Sequence, residues 1–480
     1  MQPAEFRRQA HLLADWIADY LEGSEHYPVL SQVKPGAIRA QLPTAPPATG
    51  EPMGAIWEDF QRILMPGLTH WNHPAFFAYF SISASPPGVL AEFLSAALNQ
   101  QAMLWRTSPA ATELEQVTLG WLRDLIGLPE PFEGVIYDTA SISTLHALAA
   151  ARERLSRDIR VRGLSGQPPI TVYCSQDTHS SVDKAVILLG LGHEWLRKIP
   201  TDESFRMRPE LLQEAIDRDK AAGCLPMAVV ATAGTTSTSS VDPIAAVADI
   251  SQREGLWLHV DAAYAGPAAI CPEYRWILEG AERADSLTLN PHKWLFVPFD
   301  LSVLYVRDLH TLKAAFSLIP EYLRTEEETL NLMDTGIQLG RRFRSLKLWF
   351  IMRSYGVEGL QAMIRQACEL ARHFARRVEE HPHFELLAPV PLSLVCFRAC
   401  PPGVEDLDTL NEELMQTLNA SGEAFLSHTR LGGKLALRLA VGHMGTRHQH
   451  VDRVFELLEG YLAARGNSGS HSTQQRSLSQ

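Results

Sequence analysis

The chain has 480 residues, 46% of them hydrophobic and 20% charged, a composition that excludes general disorder and supplies a large core. Its 43 Lys and Arg against 55 Asp and Glu give a net charge of −12, so it is not built to neutralise nucleic-acid phosphates. Six cysteines without a CxxC pair exclude a disulfide scaffold and a zinc ribbon and point to a reducing compartment. The start, MQPAEFRRQAHLLADW, lacks the apolar stretch of a signal peptide, and nowhere do 18 apolar residues run together. A soluble, cytoplasmic, enzyme-sized protein is expected, with neither nucleic acid nor membrane as partner.

In chain order, Phe6, Leu12, Leu13, Trp16, Ile17, Tyr20 and Leu21 recur at helical spacing, which predicts an amphipathic helix over residues 1–24. A proline-rich passage ending in QLPTAPPATGEPMG follows and is expected to be extended. Helix and arm together lack a core, so residues 1–80 are expected to pack on a partner subunit. VLAEFLSAALNQQAMLW and TELEQVTLGWLRDLIGL read as helices. Five short apolar runs then alternate with helical stretches: GVIYD, ITVYCS, MAVVATA, LWLHVDA and SLTLN. That alternation predicts βαβ units and a mostly parallel sheet within a large α/β domain over residues 81–375. GRRFRSLKLWFIMRSYG and VEGLQAMIRQACELARHFARRVEEH are read as helices. PLSLVCFRA and KLALRLAVG as strands, with HQHVDRVFELLEGYLAAR as a helix, predict a small α+β domain over residues 376–465. Residues 466–480, GNSGSHSTQQRSLSQ, are almost wholly polar and are expected to be a disordered tail.

In parallel sheets ligands gather at the C-terminal strand ends, so the polar residues closing these runs carry the chemistry. Lys293, in SLTLNPHKWLF, follows a strand end beside Trp294; desolvation there would leave a neutral amine able to form a Schiff base. Asp261 closes the strand of LHVDAAYAG, a costly place for a carboxylate unless a cation meets it. A protonated pyridine nitrogen is one such cation, and a helix cap is another use; a metal is the weaker reading because the motif holds no second carboxylate. In GVIYDTASISTLHALAAAR a strand turns into a helix, whose free N–H groups make a phosphate cradle. His179 follows another strand and could lie over an aromatic ring, and Thr235 and Thr236 lie in a further strand-end loop. Singly each has an ordinary structural explanation. Together they supply what a pyridoxal phosphate site needs.

HWNHPAFFAYF, SPAATELE, HSSVDKA, HVDAAYAG, NPHKWL and LGRRFRSLKLWF resemble the signatures of the pyridoxal-phosphate-dependent amino-acid decarboxylases, most of all the aromatic-L-amino-acid decarboxylases. The resemblance extends over nearly all of residues 1–465. It implies the fold-type-I transferase-like architecture, pyridoxal 5′-phosphate as cofactor, and a homodimer with active sites at the subunit interface. It further implies that Lys293 forms the Schiff base, Asp261 pairs with the pyridine nitrogen and His179 stacks on the ring. Ala140, Ser141, Thr236 and Asn290 would hold the phosphate region, and His292 and Ala263 would line the cofactor. Trp71, Tyr79 and Phe80 match the family's substrate pocket. Tyr322, in FSLIPEYLRTEEETLNLMDTG, matches the loop tyrosine that returns a proton to Cα after carbon dioxide leaves, in a segment shorter than in animal relatives.

Three departures bear on the substrate. Ser81-Ile82 stands where the family commonly has Pro-Thr, Met103 replaces an aromatic usually offered by the neighbouring subunit, and Asp138 adds negative charge beside the phosphate turn. Gly340 matches a position where glycine accompanies bulky aromatic substrates. The expected reaction is decarboxylation of an aromatic L-amino acid to its amine. The alternatives are an aldehyde synthase on the same fold, a decarboxylase of a non-aromatic amino acid, and a non-catalytic homologue; retained Tyr322 argues against the first.

Overall fold

Each of the five apolar runs forms a strand. The computed structural model describes residues 1–318 and 329–476, with side chains to residue 465. Its strands are β1 (Glu133–Tyr137), β2 (Ile170–Ser175), β3 (Leu196–Ile199), β4 (Leu225–Thr232), β5 (Trp257–Asp261), β6 (Ser286–Leu289) and β7 (Ser302–Val306). They make one sheet in the order β1-β7-β6-β5-β4-β2-β3. β3, β2, β4, β5 and β6 are parallel, and β7 alone runs against its neighbours. β2 and β5 are buried along their whole length, as expected of strands covered by helices on both faces.

Two strands of this sheet escape the sequence reading, as β8 (Phe384–Leu386) and β10 (Ser427–Leu431) do elsewhere in the chain. β3 is short and carries Arg197 and Lys198, so it lacks an apolar run. β7 returns antiparallel directly after the lysine turn and needs no crossover helix, the signal on which the βαβ pattern rests. Two helix boundaries also move. The helix expected through Trp105 spans Pro86–Leu98 and stops at Asn99, whose φ of 46° is left-handed. The helix expected from Gly340 begins at Ser345 and is interrupted at Gly356, where φ is 63°.

The described chain divides into two compact units, one of Ile82–Glu369 with Ala388–Leu394, the other of Met1–Ser81, Leu370–Leu387 and the residues from Val395 on. The first holds the seven-stranded sheet. The second includes the N-terminal helix Pro3–Glu22, which buries none of its residues, and helix His448–Arg476. A four-stranded sheet is formed by β8 (Phe384–Leu386), β9 (Leu394–Ala399), β10 (Ser427–Leu431) and β11 (Lys434–Ala440) in the order β10-β11-β9-β8. The backbone of residues 466–476, expected as tail, continues the final helix, because each added residue gains one hydrogen bond without a new nucleus. Among the described residues no helix is long and apolar enough to cross a membrane.

Candidate active site

The parallel strands bring their polar ends to one edge of the sheet. Asp261 is the last residue of β5, in register with Thr232 of β4 and Thr288 of β6. Its carboxylate is 4% exposed, and Oδ1 accepts the Ala263 N–H at 3.0 Å, which fixes its orientation. One strand over, Pro291 starts the four-residue turn Pro291–Trp294 that carries Lys293. The amine is held below the usual lysine range, chiefly by burial and in spite of the opposing pull of Asp261. Trp294 beside it is buried and stacks on Tyr264 at 5.0 Å.

His179 lies past the end of β2 with an exposed ring, and its Nδ1 accepts the Ser181 N–H at 3.1 Å, which leaves the proton on Nε2. Desolvation lowers its pKa, Asp261 raises it and Lys293 lowers it, so the three groups share one electrostatic neighbourhood. His292 is buried, with Nδ1 accepting the Leu301 N–H at 3.0 Å; burial and the adjacent Lys293 bring it down to about 3, so the ring is neutral.

Helix Ala140–Leu155 begins at the phosphate turn, and Thr139 at its N-cap makes no side-chain capping bond. Ala140 is half-buried and Ser141 exposed. The Asp138 carboxylate, which adds negative charge beside this turn, accepts the Thr139 N–H at 2.5 Å and the Thr139 hydroxyl at 3.0 Å on one oxygen and the Gln338 amide at 3.4 Å on the other. In the loop after β4, Thr235 is locked by the Thr238 hydroxyl and the Ser240 N–H, whereas Thr236 is exposed. Gly234 enters that loop at φ 90°, and a Cβ there would sit 2.6 Å from the Ala265 Cβ. Asn290 is buried, and its Oδ1 has no hydrogen-bond partner among the described residues.

Of the residues expected at the substrate, Ile82 and Met103 are half-buried and Gly340 is exposed. Trp71, Tyr79 and Phe80 belong to the other compact unit. There Trp71 stacks on Phe76 at 4.4 Å and on Tyr79 at 5.8 Å, and Arg438 lies over the Phe80 ring. Tyr79 adopts φ 52° and is 53% exposed, its ring packed against Trp71 and Phe425 and otherwise open. Tyr322 falls outside the described residues.

The sequence reading missed the group that steadies the turn. Arg341 and Glu115 form a buried pair at 2.8 Å, and both bind the backbone of Ile136: Glu115 accepts its N–H at 2.9 Å and Arg341 donates to its carbonyl at 2.8 Å. β1 is thereby held two residues before Asp138. Both residues stand in quoted motifs, SPAATELE and LGRRFRSLKLWF, whose charged members were left without a role.

A lowered lysine, a strand-end carboxylate, an uncapped helix N-terminus and an orphaned amide oxygen make a donor set that fits pyridoxal phosphate. Residues 35–400 match the pyridoxal-dependent decarboxylase conserved domain, and the chain belongs to that family. It is 43% identical over 473 residues to phenylacetaldehyde synthase of Arabidopsis thaliana, covering 96% of each chain. To aromatic-L-amino-acid decarboxylase of Bos taurus it is 43% identical over 480 residues, covering 96% of this chain and 97% of that one. The crystal structure of Oryza sativa TDC with PLP and tryptamine superposes with a TM-score of 0.93 at 39% identity, covering 96% of this chain and 98% of that one. The protein is accordingly a pyridoxal-phosphate-dependent amino-acid decarboxylase of the corresponding fold.

Proposed function

We propose that this enzyme removes carbon dioxide from an aromatic L-amino acid and releases the amine. The observation that carries the reading is the strand-end cluster of Lys293, Asp261 and His179, in a chain similar end to end to enzymes named for aromatic substrates. Bound pyridoxal phosphate supplies the electron sink for the bond that breaks. Lys293, whose burial shifts it toward the neutral amine, is the residue that would hold the cofactor. Asp261, fixed by the Ala263 N–H, would hold a proton on the pyridine nitrogen, and His179 would stack on the ring. The first N–H groups of helix Ala140–Leu155, with Ser141, Thr236 and Asn290, bind the phosphate. Ala263 and neutral His292 line the cofactor, and Tyr322 donates the proton to Cα. Ile82, Met103 and Gly340 are the contacts proposed for the aromatic side chain within the sheet-bearing unit, and Trp71, Tyr79 and Phe80 are assigned to the substrate by the family resemblance alone.

The working form is a homodimer with active sites at the subunit interface. Helix Pro86–Leu98 leaves Leu90, Phe93, Leu94 and Leu98 exposed, each at 45% or more, and the N-terminal helix exposes Phe6, Leu12 and Leu13. A cytoplasmic setting is supported by the cysteines, all six of which are free. The second reading, oxidative deamination to an aldehyde, is favoured by the likeness to phenylacetaldehyde synthase and opposed by Tyr322. Incubation with the twenty amino acids, DOPA and 5-hydroxytryptophan, with mass detection of amine, aldehyde, ammonia and peroxide, tests both. Turnover of no aromatic amino acid would refute the substrate class.

A further inference from the structure

The reaction makes no use of HQHVD, the motif that opens the last helix. His448 and Asp452 lie one turn apart on helix His448–Arg476 and face His373 of helix Ser345–Glu380, all three within one compact unit. One ligand atom from each lies within 4.8 Å of the other two. His373 Nε2 is 2.7 Å from Asp452 Oδ1. The two imidazoles meet edge to face, with centroids 4.7 Å apart and planes at 86°. The cluster is open on one side: His373 and Asp452 are 27% and 31% exposed at the side chain, and His448 is exposed.

Two explanations compete. In the first, Asp452 simply closes a surface ion-pair network with His373 and Arg377, whose Nη1 is 2.8 Å from the same oxygen. That network gives His448 nothing to do. Its side chain makes no hydrogen bond or ion pair among the described residues, only the ring contact with His373. The second explanation uses all three groups. Two imidazole nitrogens and one carboxylate with an open fourth position make the donor set of a tetrahedral zinc site completed by water. Calcium and magnesium, which ask for six or more oxygens, do not fit. Arg377 need not block the ion, because Glu459 offers it a second acceptor at 3.6 Å and the Phe455 ring lies 4.3 Å from the guanidinium. Bonds of about 2.0–2.1 Å to a tetrahedral zinc place its ligand atoms about 3.3 Å apart, so His373 and Asp452, now 2.7 Å apart, would open slightly around the ion while rotation of exposed His448 brings its nitrogen in.

We propose that His373, His448 and Asp452 bind one divalent transition-metal ion, zinc by preference, which staples helix Ser345–Glu380 to helix His448–Arg476. The test uses the full-length holoenzyme, stripped of metal by chelation and dialysed, with zinc chloride in calorimetric titration. Cobalt chloride serves as a second probe, because its visible absorption reports tetrahedral coordination. One ion per chain is expected at this site, and His448→Ala and His373→Ala should each weaken zinc binding at least tenfold and remove the cobalt band. Zinc should raise the Tm of the wild type and leave that of His448→Ala unmoved. The ion-pair explanation predicts the reverse for His448→Ala, namely zinc and cobalt titrations that overlay those of the wild type, and that result overturns the proposal. So does the absence of zinc binding by the wild type. Should His373→Ala fail to fold, exposed His448→Gln decides alone by the same two readouts.

Discussion

Acid should unfold this protein at a pH well above the ordinary carboxylate range, because the fold holds five histidines neutral. Burial takes His73 and His259 down to about 4, and His146, His292 and His443 down to about 3. An unfolded histidine binds its proton near pH 6.5, so below that pH the unfolded chain gains protons that the native chain refuses. Stability contributed by such a group is complete above pH 6.5 and is lost as pH falls toward the native value. At pH 5.5 the loss is about 1.4 kcal/mol per histidine, or roughly 7 kcal/mol for the five. Asp242 works the other way. Buried while accepting the Met207 and Thr232 N–H groups, it is pushed up to about 7, and its native proton returns about 2 kcal/mol at pH 5.5. The net loss of about 5 kcal/mol is comparable with the whole stability of many domains, about 5–15 kcal/mol. Urea unfolding followed by circular dichroism at pH 7.5, 6.5 and 5.5 measures it. A stability constant to within about 1 kcal/mol across that range would refute the reasoning, since it would mean that the buried rings are protonated or hydrated in the native state.

Lys293→Ala should abolish turnover, and pyridoxal phosphate should no longer co-elute with the protein on gel filtration; a variant that stays active removes the lysine from its role. Asp261→Asn should retain cofactor and lose about 100- to 1,000-fold in kcat, because a neutral amide cannot hold the pyridine proton; kcat near wild type would assign that charge elsewhere. Tyr322→Phe should bind substrate with little change in KM and lower amine formation by about 100-fold or more, with product shifting to aldehyde, ammonia and peroxide. An unchanged ratio of amine to aldehyde would exclude Tyr322 as the proton donor. Gly234→Ala puts a Cβ 2.6 Å from that of Ala265 at a φ of 90°, and should cost about 1–3 kcal/mol in urea unfolding while weakening cofactor retention through the Thr235–Thr236 loop.

The sheet and the polar residues at its edge are legible for the same reason. Strands buried on both faces read as apolar runs, and a parallel sheet delivers the residue after each run to one edge. Asp261, Lys293 and His179 could therefore be found without any knowledge of their spacing in three dimensions. What the sequence hid were features set by partners far apart in the chain. Glu115 and Arg341 each look like an ordinary helix or loop charge until the fold places them together. His146 sits within an alanine-rich helix, yet its buried ring packs against Tyr137 and Phe316 at 4.4 and 4.6 Å. Asp138 reads in the sequence as a charge beside the phosphate turn, whereas its hold on the Thr139 N–H and hydroxyl is set by the local turn and is not revealed by residue type alone.

The hold on Ile136 has a wider consequence. β1 is an outermost strand, and the N–H and carbonyl of Ile136 that bind Glu115 and Arg341 face away from β7. A carboxylate and a guanidinium thus occupy the places a neighbouring strand's carbonyl and N–H would take. An open strand edge invites pairing with another chain, during folding above all. Here the invitation is withdrawn by two buried side chains bound to each other and to this backbone. The sheet is closed to an eighth strand on this side, so copies of the protein that meet while folding find no template for adding strands there.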